Sequence, residues 1–383
     1  MLFNETGLEV AWLAKKVRGP SYSAIFIVKG TFRMVADGTA VTAEEQFPLG
    51  GEGPDASNDF EPYKPRTDLL VVGHAYAPGR KPVAMLPVSF QVGSYSKELA
   101  VIGDRRAGAP EPFVKMKLGW ERAFGGPFFP RNPVGTEVPN FETPGRVSEP
   151  IPAGFGPIPF AWRLGKAGTY DQAWKKNRWP WFPEDFDWTA LNAAPEDQQV
   201  EALAGDETLA FRNLHPDHAL LKTRLPGLRL RLFYGPRHGS DFRLAEVAMK
   251  CDTLWAEPDR ERLVLVWRGL FDLRGDRIPP EDPILVVHER TPRSLDQYDR
   301  YLRERMREEV ELEAEMLEGV REEPKPAAKA PPPPALTAEE EAEDKLAADT
   351  LAKVEADLKK AGADGDVRAP IPKDPKAHYE LMK

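Results

Sequence analysis

β-Branched and apolar runs succeed one another along this chain, with no helical segment between the early ones. Residues 22–32 and 40–47 flank Asp37-Gly38, a dipeptide that marks hairpin turns. Parallel neighbours need a long crossover, usually a helix, so the sequence predicts antiparallel sheets in a sandwich or barrel-like, mainly β body. A second hairpin is predicted for residues 251–255 and 263–267. Further strands are predicted at 69–75, 83–92, 97–102, 229–234 and 242–248.

Between about residues 124 and 205, prolines, glycines and aromatic residues are too dense for regular helices or strands. Prolines and glycines interrupt backbone hydrogen-bond ladders, while aromatic rings offer large areas for burial. The sequence therefore predicts a long, ordered Pro/Trp-rich loop insert, and such loops are usually functional. Its tryptophans either stack sugar rings or form the core of the loop: Trp162, Trp174, Trp179, Trp181 and Trp188.

The pattern changes near Thr291, where a β-rich body over residues 1–290 gives way to a helical C-terminal extension. Ser294 and Gln297 have the spacing of a capping box. Apolar residues then recur at helical intervals among glutamates and arginines. The sequence therefore predicts an amphipathic helix over 291–320.

Three further segments follow this helix. Residues 321–336 are rich in proline and alanine, which predicts an extended, semi-rigid linker. Residues 337–362 predict a charged amphipathic helix, and 363–383 a tail. The narrow apolar side of this second helix either stays solvated or docks on a partner. The candidate docking residues are Leu346, Val354 and Leu358.

The formal net charge of -9 argues against nucleic acid as a partner, because a phosphate-binding surface needs an excess of basic residues. Cys251 is the single cysteine, which fits a reducing compartment and leaves no disulfide. The first residues lack the regions of an export signal, and no apolar run reaches the roughly 20 residues of a membrane helix. We therefore expect a cytoplasmic protein with no membrane partner.

Motifs of nucleotide, metal and hydrolase chemistry are missing: there is no Walker loop, dinucleotide fingerprint, nucleophile elbow or zinc-protease motif. His215 and His218 are close enough in sequence to share a metal, but loop histidines are usually solvated or hydrogen-bonded. His74 ends a predicted strand, where it acts either as a base or as a partner of loop carbonyls. We expect no catalytic residue, no metal site and no cofactor.

Carboxylates crowd the insert and the segments before it, and hydrolytic chemistry needs two of them held at different pKa values. The candidates are Asp171, Asp185, Asp187 and Asp197, beside the charged motifs Gly103-Asp104-Arg105-Arg106 and Trp120-Glu121-Arg122. Long ordered loops also need ionic and amide bonds to satisfy their backbone, and the sequence favours this scaffold role. On that interpretation, Glu121→Ala and Asp171→Ala each destabilise the fold by leaving a buried polar partner unpaired.

A series of motifs in a fixed order, from Lys29-Gly30-Thr31-Phe32 to Trp267-Arg268, resembles the bacterial family called domain of unknown function 2169. The resemblance extends over about residues 5–290. Arg106 stands where that family usually has an aromatic residue. The signature residues, interpreted as structural, are Gly73, His74, Asp104, Arg105, Glu121, Arg122, Phe124, Gly125, Gly126, Asn132, Pro133, Gly168, Thr169, Tyr170, Asp171, Trp174, Asp197, Gln198, Gln199, Asp252, Thr253, Trp267 and Arg268.

Genes of the resembled family typically lie in type VI secretion clusters beside spike and toxin genes, and its members look like effector adaptors or chaperones. The resemblance thus implies a non-catalytic adaptor that holds a secreted toxin, or its PAAR-like domain, ready for the VgrG spike. A toxin segment would bury apolar surface or add a strand at a sheet edge of the adaptor. The alternative is a hydrolase or carbohydrate-active enzyme that uses the Asp/Trp-rich loop.

Overall fold

The computed structural model describes residues 1–17, 21–50, 59–106, 109–129, 131–145, 151–239, 241–289, 291 and 293–319. Its strands are β1 (Leu2–Asn4), β2 (Glu9–Lys15), β3 (Ser23–Arg33), β4 (Val41–Thr42), β5 (Thr67–Val71), β6 (His74–Tyr76), β7 (Met85–Val92), β8 (Tyr95–Ile102), β9 (Arg105–Arg106), β10 (Ala109–Pro110), β11 (Lys115–Lys117), β12 (Phe141–Glu142), β13 (Gln199–Val200), β14 (Thr208–Arg212), β15 (Leu220–Arg224), β16 (Leu230–Tyr234), β17 (Arg237–His238), β18 (Asp241–Phe242), β19 (Ala245–Val247), β20 (Lys250–Glu257), β21 (Arg262–Asp272) and β22 (Ile284–His288). The α-helices are α1 (Phe160–Arg163), α2 (Gln172–Asn177) and α3 (Leu295–Gly319). Short 3-10 helices lie at Pro78–Arg80, Trp120–Arg122, Leu164–Lys166, Trp188–Leu191, Glu196–Gln198 and Pro258–Arg260.

The largest sheet contains seven strands in the order β13-β5-β20-β21-β3-β2, with β4 also paired to β3. Strand β3 is buried along almost its whole length, because its two faces pack against different clusters. Phe26 and Val28 belong to the main core, whereas Ile25 and Ile27 pack with Trp188 of the insert on the opposite face. Both faces of this sheet are therefore covered, which explains the continuous apolar run in β3.

Two further sheets close over the main core. One has the order β12-β8-β7-β14-β15 and the other the order β1-β22-β16-β19. The core that they share with the seven-stranded sheet includes Phe26, Phe90, Phe211 and Tyr234, each at most 1% exposed. The prediction of a mainly β body is confirmed, and within the described residues the sheets pack on one another and do not close into a barrel.

Most strand pairs are antiparallel, but β1 pairs in parallel with β22, and β5 with β20. The antiparallel prediction is wrong for these two pairs. Without a crossover helix, two strands that follow one another in sequence cannot pair in parallel. This rule does not apply to β1–β22 and β5–β20, because each pair joins distant parts of the chain.

The second predicted hairpin is confirmed as β20 and β21, which turn through Pro258–Arg260. In the first predicted hairpin, only the two-residue strand β4 pairs with β3. The connection between these strands extends beyond Asp37-Gly38, and its backbone bonds neighbouring segments. Met34 N donates to Glu261 O (2.6 Å), and Asp37 N donates to Lys222 O (2.8 Å). The strand predicted at 69–75 is likewise divided into β5 and β6, with Gly73 between them.

Helix α3 begins with the predicted capping box. The backbone N–H of Ser294 donates to Gln297 Oε1 (2.8 Å), and the N–H of Gln297 donates to Ser294 Oγ (3.3 Å). Tyr298 and Leu302 are buried against the four-stranded sheet, where the Tyr298 ring lies 4.6 Å from the Phe233 ring. The first turns of this helix therefore extend the folded body.

The chain divides into two units, Met1–Val310 and Glu311–Lys383, and every sheet named above belongs to the first. The predicted linker, second helix and tail lie outside the described residues, as do the candidate docking residues Leu346, Val354 and Leu358. Among the helices that the structure describes, none has the length and apolar character of a membrane span.

Candidate functional site

The insert side of the seven-stranded sheet carries three buried ion pairs: Lys29–Asp59 (2.8 Å), Lys64–Asp68 (3.0 Å) and Arg268–Asp252. Thr253 joins two of them, because its Oγ1 accepts from Lys64 Nζ (2.9 Å) and donates to Asp252 Oδ1 (2.9 Å). None of the six ionic residues is more than 4% exposed. The signature residues Asp252, Thr253 and Arg268 take part in these ion pairs and the bonds between them. Trp267 packs in the main core on the other face of the sheet.

Asp68 anchors the insert to this sheet. Besides its salt bridge, it accepts hydrogen bonds from Asn192 Nδ2 (2.9 Å), Ala193 N (2.8 Å) and Ala194 N (3.2 Å). Gln199 also holds this segment, since its Nε2 donates to Ala194 O (2.8 Å). Hydrogen bonds to an ionised acceptor are the strong ones, so this carboxylate fixes the end of the insert on β5.

Gln198 makes a second anchor. It is fully buried, and its Nε2 donates to Leu69 O (2.7 Å) and Phe155 O (2.8 Å). Its Oε1 accepts from Lys97 Nζ (2.6 Å), which also donates to Asp197 Oδ1 (2.9 Å). Burial lowers the pKa of the Lys97 ammonium, and the Asp197 carboxylate opposes that shift. Gln198 thus joins β5, β8 and the insert through one side chain.

A cleft of about 760 Å³ opens where these anchored segments meet. Trp120 and Trp162 line it with ring centroids 6.0 Å apart, and Asp197 lies at its rim. Asn192 Oδ1 and Thr189 Oγ1 are buried at the cleft and have no hydrogen-bond partner among the described residues. A ligand with apolar faces and hydrogen-bond donors has complementary chemistry to this wall.

The signature residues before the insert close a turn around Asp104. Its Oδ1 accepts from Arg122 (2.9 Å) and from Asn140 Nδ2 (3.0 Å), while Asn140 N donates to Arg122 O (2.8 Å). Arg105 is bonded to the Glu142 carboxylate. The charged motifs therefore bind each other across the turn, which supports the scaffold role for these residues.

Asn132 holds the loop that follows Trp120. Its Nδ2 donates to Trp120 O and Phe124 O (3.0 Å each), and its backbone O accepts from Gly126 N (3.0 Å). Pro133 follows it directly. Gly125 has φ 156° at the closest approach of the two chain segments, where a Cβ would lie 2.2 Å from Asn132 O. Only glycine fits that position.

Within the insert, Asp185 and Asp171 each hold backbone. Asp185 accepts from Thr169 N (2.9 Å) and Thr169 Oγ1 (2.7 Å), and these bonds lower the pKa of the exposed carboxyl. Asp171 caps α2 by accepting from Trp174 N (2.7 Å), next to Tyr170, whose ring lies 4.7 Å from the Trp174 ring. Both carboxylates are therefore engaged by their own loop.

The other two acidic candidates also have separate partners. Asp187 Oδ1 accepts from Thr189 N (2.9 Å), a bond that lowers the pKa of this carboxyl, and Asp197 pairs with Lys97. General acid catalysis needs a carboxyl whose pKa is raised towards neutrality. The hydrogen bonds at Asp185 and Asp187 act in the opposite direction, so these two residues are suited to holding loops.

The prediction of a buried polar partner is wrong for both Glu121 and Asp171. Glu121 pairs with Lys117 at 3.1 Å, with side chains 50% and 67% exposed, and Asp171 is an exposed cap. An exposed pair contributes at most about 1 kcal/mol. We expect Asp171→Ala to cost about 1 kcal/mol, the usual value of an N-cap, and Glu121→Ala less. Urea unfolding of both variants measures this, and a loss above about 3 kcal/mol would contradict it.

The tryptophans of the insert differ in burial: some pack inside the loop and others are exposed to solvent. Trp188 packs against Phe182 and Phe186, with centroids 5.1 Å away in each case. Trp174 contacts Trp179 edge to face at 5.5 Å, and Trp179 is 65% exposed. Part of the aromatic set therefore forms the core of the loop, and part of it faces solvent.

His74 lies beside the tip of the β20–β21 hairpin. Its Nδ1 is 2.8 Å from Asp259 Oδ2, which also accepts from the Tyr76 hydroxyl (3.3 Å). Burial and the Asp259 carboxylate raise the pKa of Tyr76 to about 12. Gly73 leaves room for this contact, because a Cβ there would lie 2.7 Å from Asp259 Oδ1. The partner of His74 is thus a carboxylate and not a loop carbonyl.

His215, His218 and Glu261 come together near the same hairpin, with candidate ligand atoms within 4.8 Å of one another. Nδ1 of His215 accepts the backbone N–H groups of Asp217 and His218 (3.1 Å each), so the ring proton lies on Nε2, 3.6 Å from Glu261 Oε1. Burial and the neighbouring His218 lower the pKa of His215. A metal-bound imidazole usually donates its other N–H, so this arrangement favours a hydrogen-bonded histidine over a ligand.

We expect the purified protein to retain no stoichiometric zinc or manganese after dialysis, because Nε2 of His215 carries a proton. Elemental analysis of the wild type and of His215→Ala checks this expectation. A stoichiometric metal that survives dialysis in the wild type and disappears in the variant would contradict it.

Three residues of these ion pairs and anchors have no distinctive sequence around them. Lys97 alternates with polar and apolar neighbours in β8, as a solvated lysine would. Asp59 and Lys64 lie in a segment with no regular element. Asp59 pairs with Lys29, which lies 30 residues earlier, and Lys64 bonds Thr253, which lies 189 residues later, so no local pattern signals these contacts.

The chain is similar to one family of bacterial proteins. A family model described as "uncharacterized protein conserved in bacteria (DUF2169)" matches residues 21–268, which include all the signature residues and both anchors of the insert. No curated protein and no solved structure matches the chain. Because the matched segment covers well over half of the residues, the chain belongs to the DUF2169 family of bacterial proteins.

Proposed function

We propose that this protein is a non-catalytic adaptor or chaperone of a bacterial type VI secretion system. It binds a secreted toxin, or the PAAR-like domain of that toxin, in the cytoplasm and helps to load it onto the VgrG spike. The resemblance of the ordered motifs to effector adaptors is the starting point of this proposal. The bonds that the signature carboxylates make within the protein also support this proposal.

Every signature carboxylate is bonded to a partner from its own chain. Arg122 holds Asp104, Lys117 holds Glu121, the N-terminus of α2 holds Asp171, Lys97 holds Asp197 and Arg268 holds Asp252. A catalytic acid or base must instead reach a substrate atom. The motif residues are therefore suited to fixing a surface, and a fixed surface with little ordering cost is what a binding protein needs.

The insert also presents apolar side chains to solvent. Phe128 is 94% exposed, Trp179 is 65% exposed and Tyr170 is 52% exposed. Aromatic residues are enriched where binding energy concentrates in protein interfaces. An adaptor that shields a toxin segment would use such residues.

The test is deletion of the gene in its native host, together with purification of the tagged full chain. We expect a toxin or a PAAR-like protein to co-purify, and we expect its cellular level and its export to fall in the deletion strain. Complementation with the wild-type gene should restore both. Unchanged toxin level and export after deletion would overturn the proposal.

The cleft favours one rival, a hydrolase or carbohydrate-active enzyme. Trp120 and Trp162 offer stacking faces, and the carboxylates Glu142 and Asp197 also line the cleft. The double variant Glu142→Gln/Asp197→Asn separates the two functions, since it keeps the shapes of both side chains. An adaptor with this substitution still exports its toxin, whereas an enzyme that uses these carboxylates loses activity.

A further inference from the structure

Strand β2 is the longest open sheet edge in the described part of the chain. It pairs with β3 on one side, and no described residue bonds its other side. The outer edge of β15 is covered by residues 37–40, which exchange hydrogen bonds with Lys222 and Arg224. The remaining edge strands have two or three residues each. Unprotected edges of this length are templates for another strand.

The hydrogen bonds of β3 show which backbone groups of β2 face outwards. Thr31 N donates to Gln46 Oε1 (2.8 Å) on the side of β3 where β4 and β2 pair, so odd-numbered residues of β3 face β2. Odd-numbered residues of β2 are opposite them in register. The outward N–H and C=O groups therefore belong to Val10, Trp12 and Ala14, because bonding directions alternate along a strand.

Side chains along this edge are only partly covered. Val10 and Ala14 are half-buried against the main core, and Leu13 is half-buried against the cluster on the opposite face. Trp12 is 38% exposed. An added strand with apolar residues on both faces would complete the burial of all four.

An aromatic surface of the insert adjoins one end of β2. Lys15 Nζ lies 5.1 Å from the centre of the Phe182 ring, and Lys16 Nζ lies 4.6 Å from that of Trp181. These cation–π contacts place the insert directly beside the open edge. A chain leaving the edge at this end would meet the insert next.

Exposed rings continue this surface away from the edge. Trp174 Nε1 donates to Trp181 O (2.8 Å), and its ring contacts both Tyr170 and Trp179. The latter two are more than half exposed. Each is held by ring contacts, so the rings are presented with little freedom left to lose on binding.

The carboxylates of this surface are engaged by the insert itself: Glu184 pairs with Arg178, and Asp171 and Asp185 accept hydrogen bonds from their own loop. Lys15 and Lys16 at the end of β2, and Lys175 and Lys176 on α2, form no salt bridge with any residue of the described part. Complementary charge steers partners and fixes their register. An acidic segment is therefore the complementary partner.

We propose that the edge of β2 and the aromatic surface beside it bind an extended, acidic segment of a partner protein, which adds to the seven-stranded sheet as an eighth strand. The inference rests on the proposed function in one respect: the partner is the toxin or PAAR-like protein that the adaptor carries. Its backbone bonds Val10, Trp12 and Ala14. Its acidic side chains meet the lysines, and the residues next to the strand cover Trp179 and Tyr170.

The first test compares Ala14→Pro with Ala14→Ser in the full chain. Proline removes one outward N–H and is tolerated at an edge whose N–H faces solvent, whereas serine keeps the donor. The probe is the toxin or PAAR-like protein that co-purifies with the wild type. We expect about tenfold weaker binding for Ala14→Pro, unchanged binding for Ala14→Ser and similar melting temperatures for both. Equal affinity of the two variants would overturn the strand addition.

The second test does not depend on how well the proline variant folds. A photo-crosslinking phenylalanine analogue replaces Trp12 or Trp179 in the native host, and Met85, which is 62% exposed on β7, is the control position. We expect both test positions, and not the control, to cross-link to one segment rich in Asp and Glu. Cross-links to a second copy of this chain, or from Met85 alone, would overturn the assignment.

The two proposals fail in different ways. If the toxin co-purifies but neither Trp12 nor Trp179 cross-links to it, the surface is rejected and the adaptor function stands. If deletion of the gene leaves toxin level and export unchanged, the adaptor function fails, and the partner assigned to this edge fails with it.

Discussion

Asp68→Asn should lower the free energy of unfolding by about 3–5 kcal/mol, the usual effect of breaking a buried ion pair from one side. The Lys64 ammonium, 1% exposed, would lose its carboxylate. The amide also replaces an acceptor of the Ala193 or Ala194 N–H with a donor. Because a domain is stabilised by only about 5–15 kcal/mol, this loss is large. Urea unfolding followed by tryptophan fluorescence measures it.

An exposed ion pair in the same insert provides the control. Lys166 and Glu196 lie 2.6 Å apart, with side chains 39% and 80% exposed. Glu196→Gln should change stability by less than about 1 kcal/mol, because water screens this pair. Equal effects of Asp68→Asn and Glu196→Gln would show that burial does not distinguish the two pairs and would remove the anchor role of Asp68.

Gly125→Ala should also destabilise the protein strongly, by about 2–5 kcal/mol. An alanine Cβ at this φ of 156° would lie 2.2 Å from Asn132 O, a backbone atom that cannot rotate away. Forcing an extra carbon into packed structure typically costs about 1–3 kcal/mol, and the backbone conformation adds to this. Thermal and urea unfolding of the variant check the value.

Gly79→Ala separates the conformational cost from the clash. Gly79 also has positive φ, 62°, but nothing lies within 4 Å of its Cβ position. We expect a loss of about 1 kcal/mol there, close to the cost of the left-handed conformation alone. If Gly125→Ala costs no more than Gly79→Ala, the close approach of Gly125 to Asn132 is not maintained in solution.

Local signals predicted the local parts of this fold. The turn at Pro258–Arg260 and the capping box at Ser294 are encoded within a few residues, and both form where the sequence places them. Strand β2 is different. Its sequence, Glu-Val-Ala-Trp-Leu-Ala-Lys, contains good helix formers, and it becomes a strand because all seven residues pair with β3. Tertiary pairing overrides intrinsic preference in such segments.

The insert shows the same limit for the candidate site. Proline and aromatic density predicted an ordered loop, but not what holds it. Asp68 bonds residues more than 120 positions later, and Gln198 reaches back to Leu69. Long-range anchors leave no periodic trace in sequence, so the cleft between them and the cation–aromatic surface beside β2 became visible only in three dimensions.

The anchoring of the insert by Asp68 and Gln198 has a consequence for its motions. Amides in surface loops usually exchange with solvent deuterium through local opening, which needs little energy. The Ala193 and Ala194 amides can open only if a buried carboxylate releases them. We expect their protons to exchange as slowly as those of the central strands, through unfolding of the whole body. A segment with almost no regular secondary structure would then belong to the slowest-exchanging part of the protein.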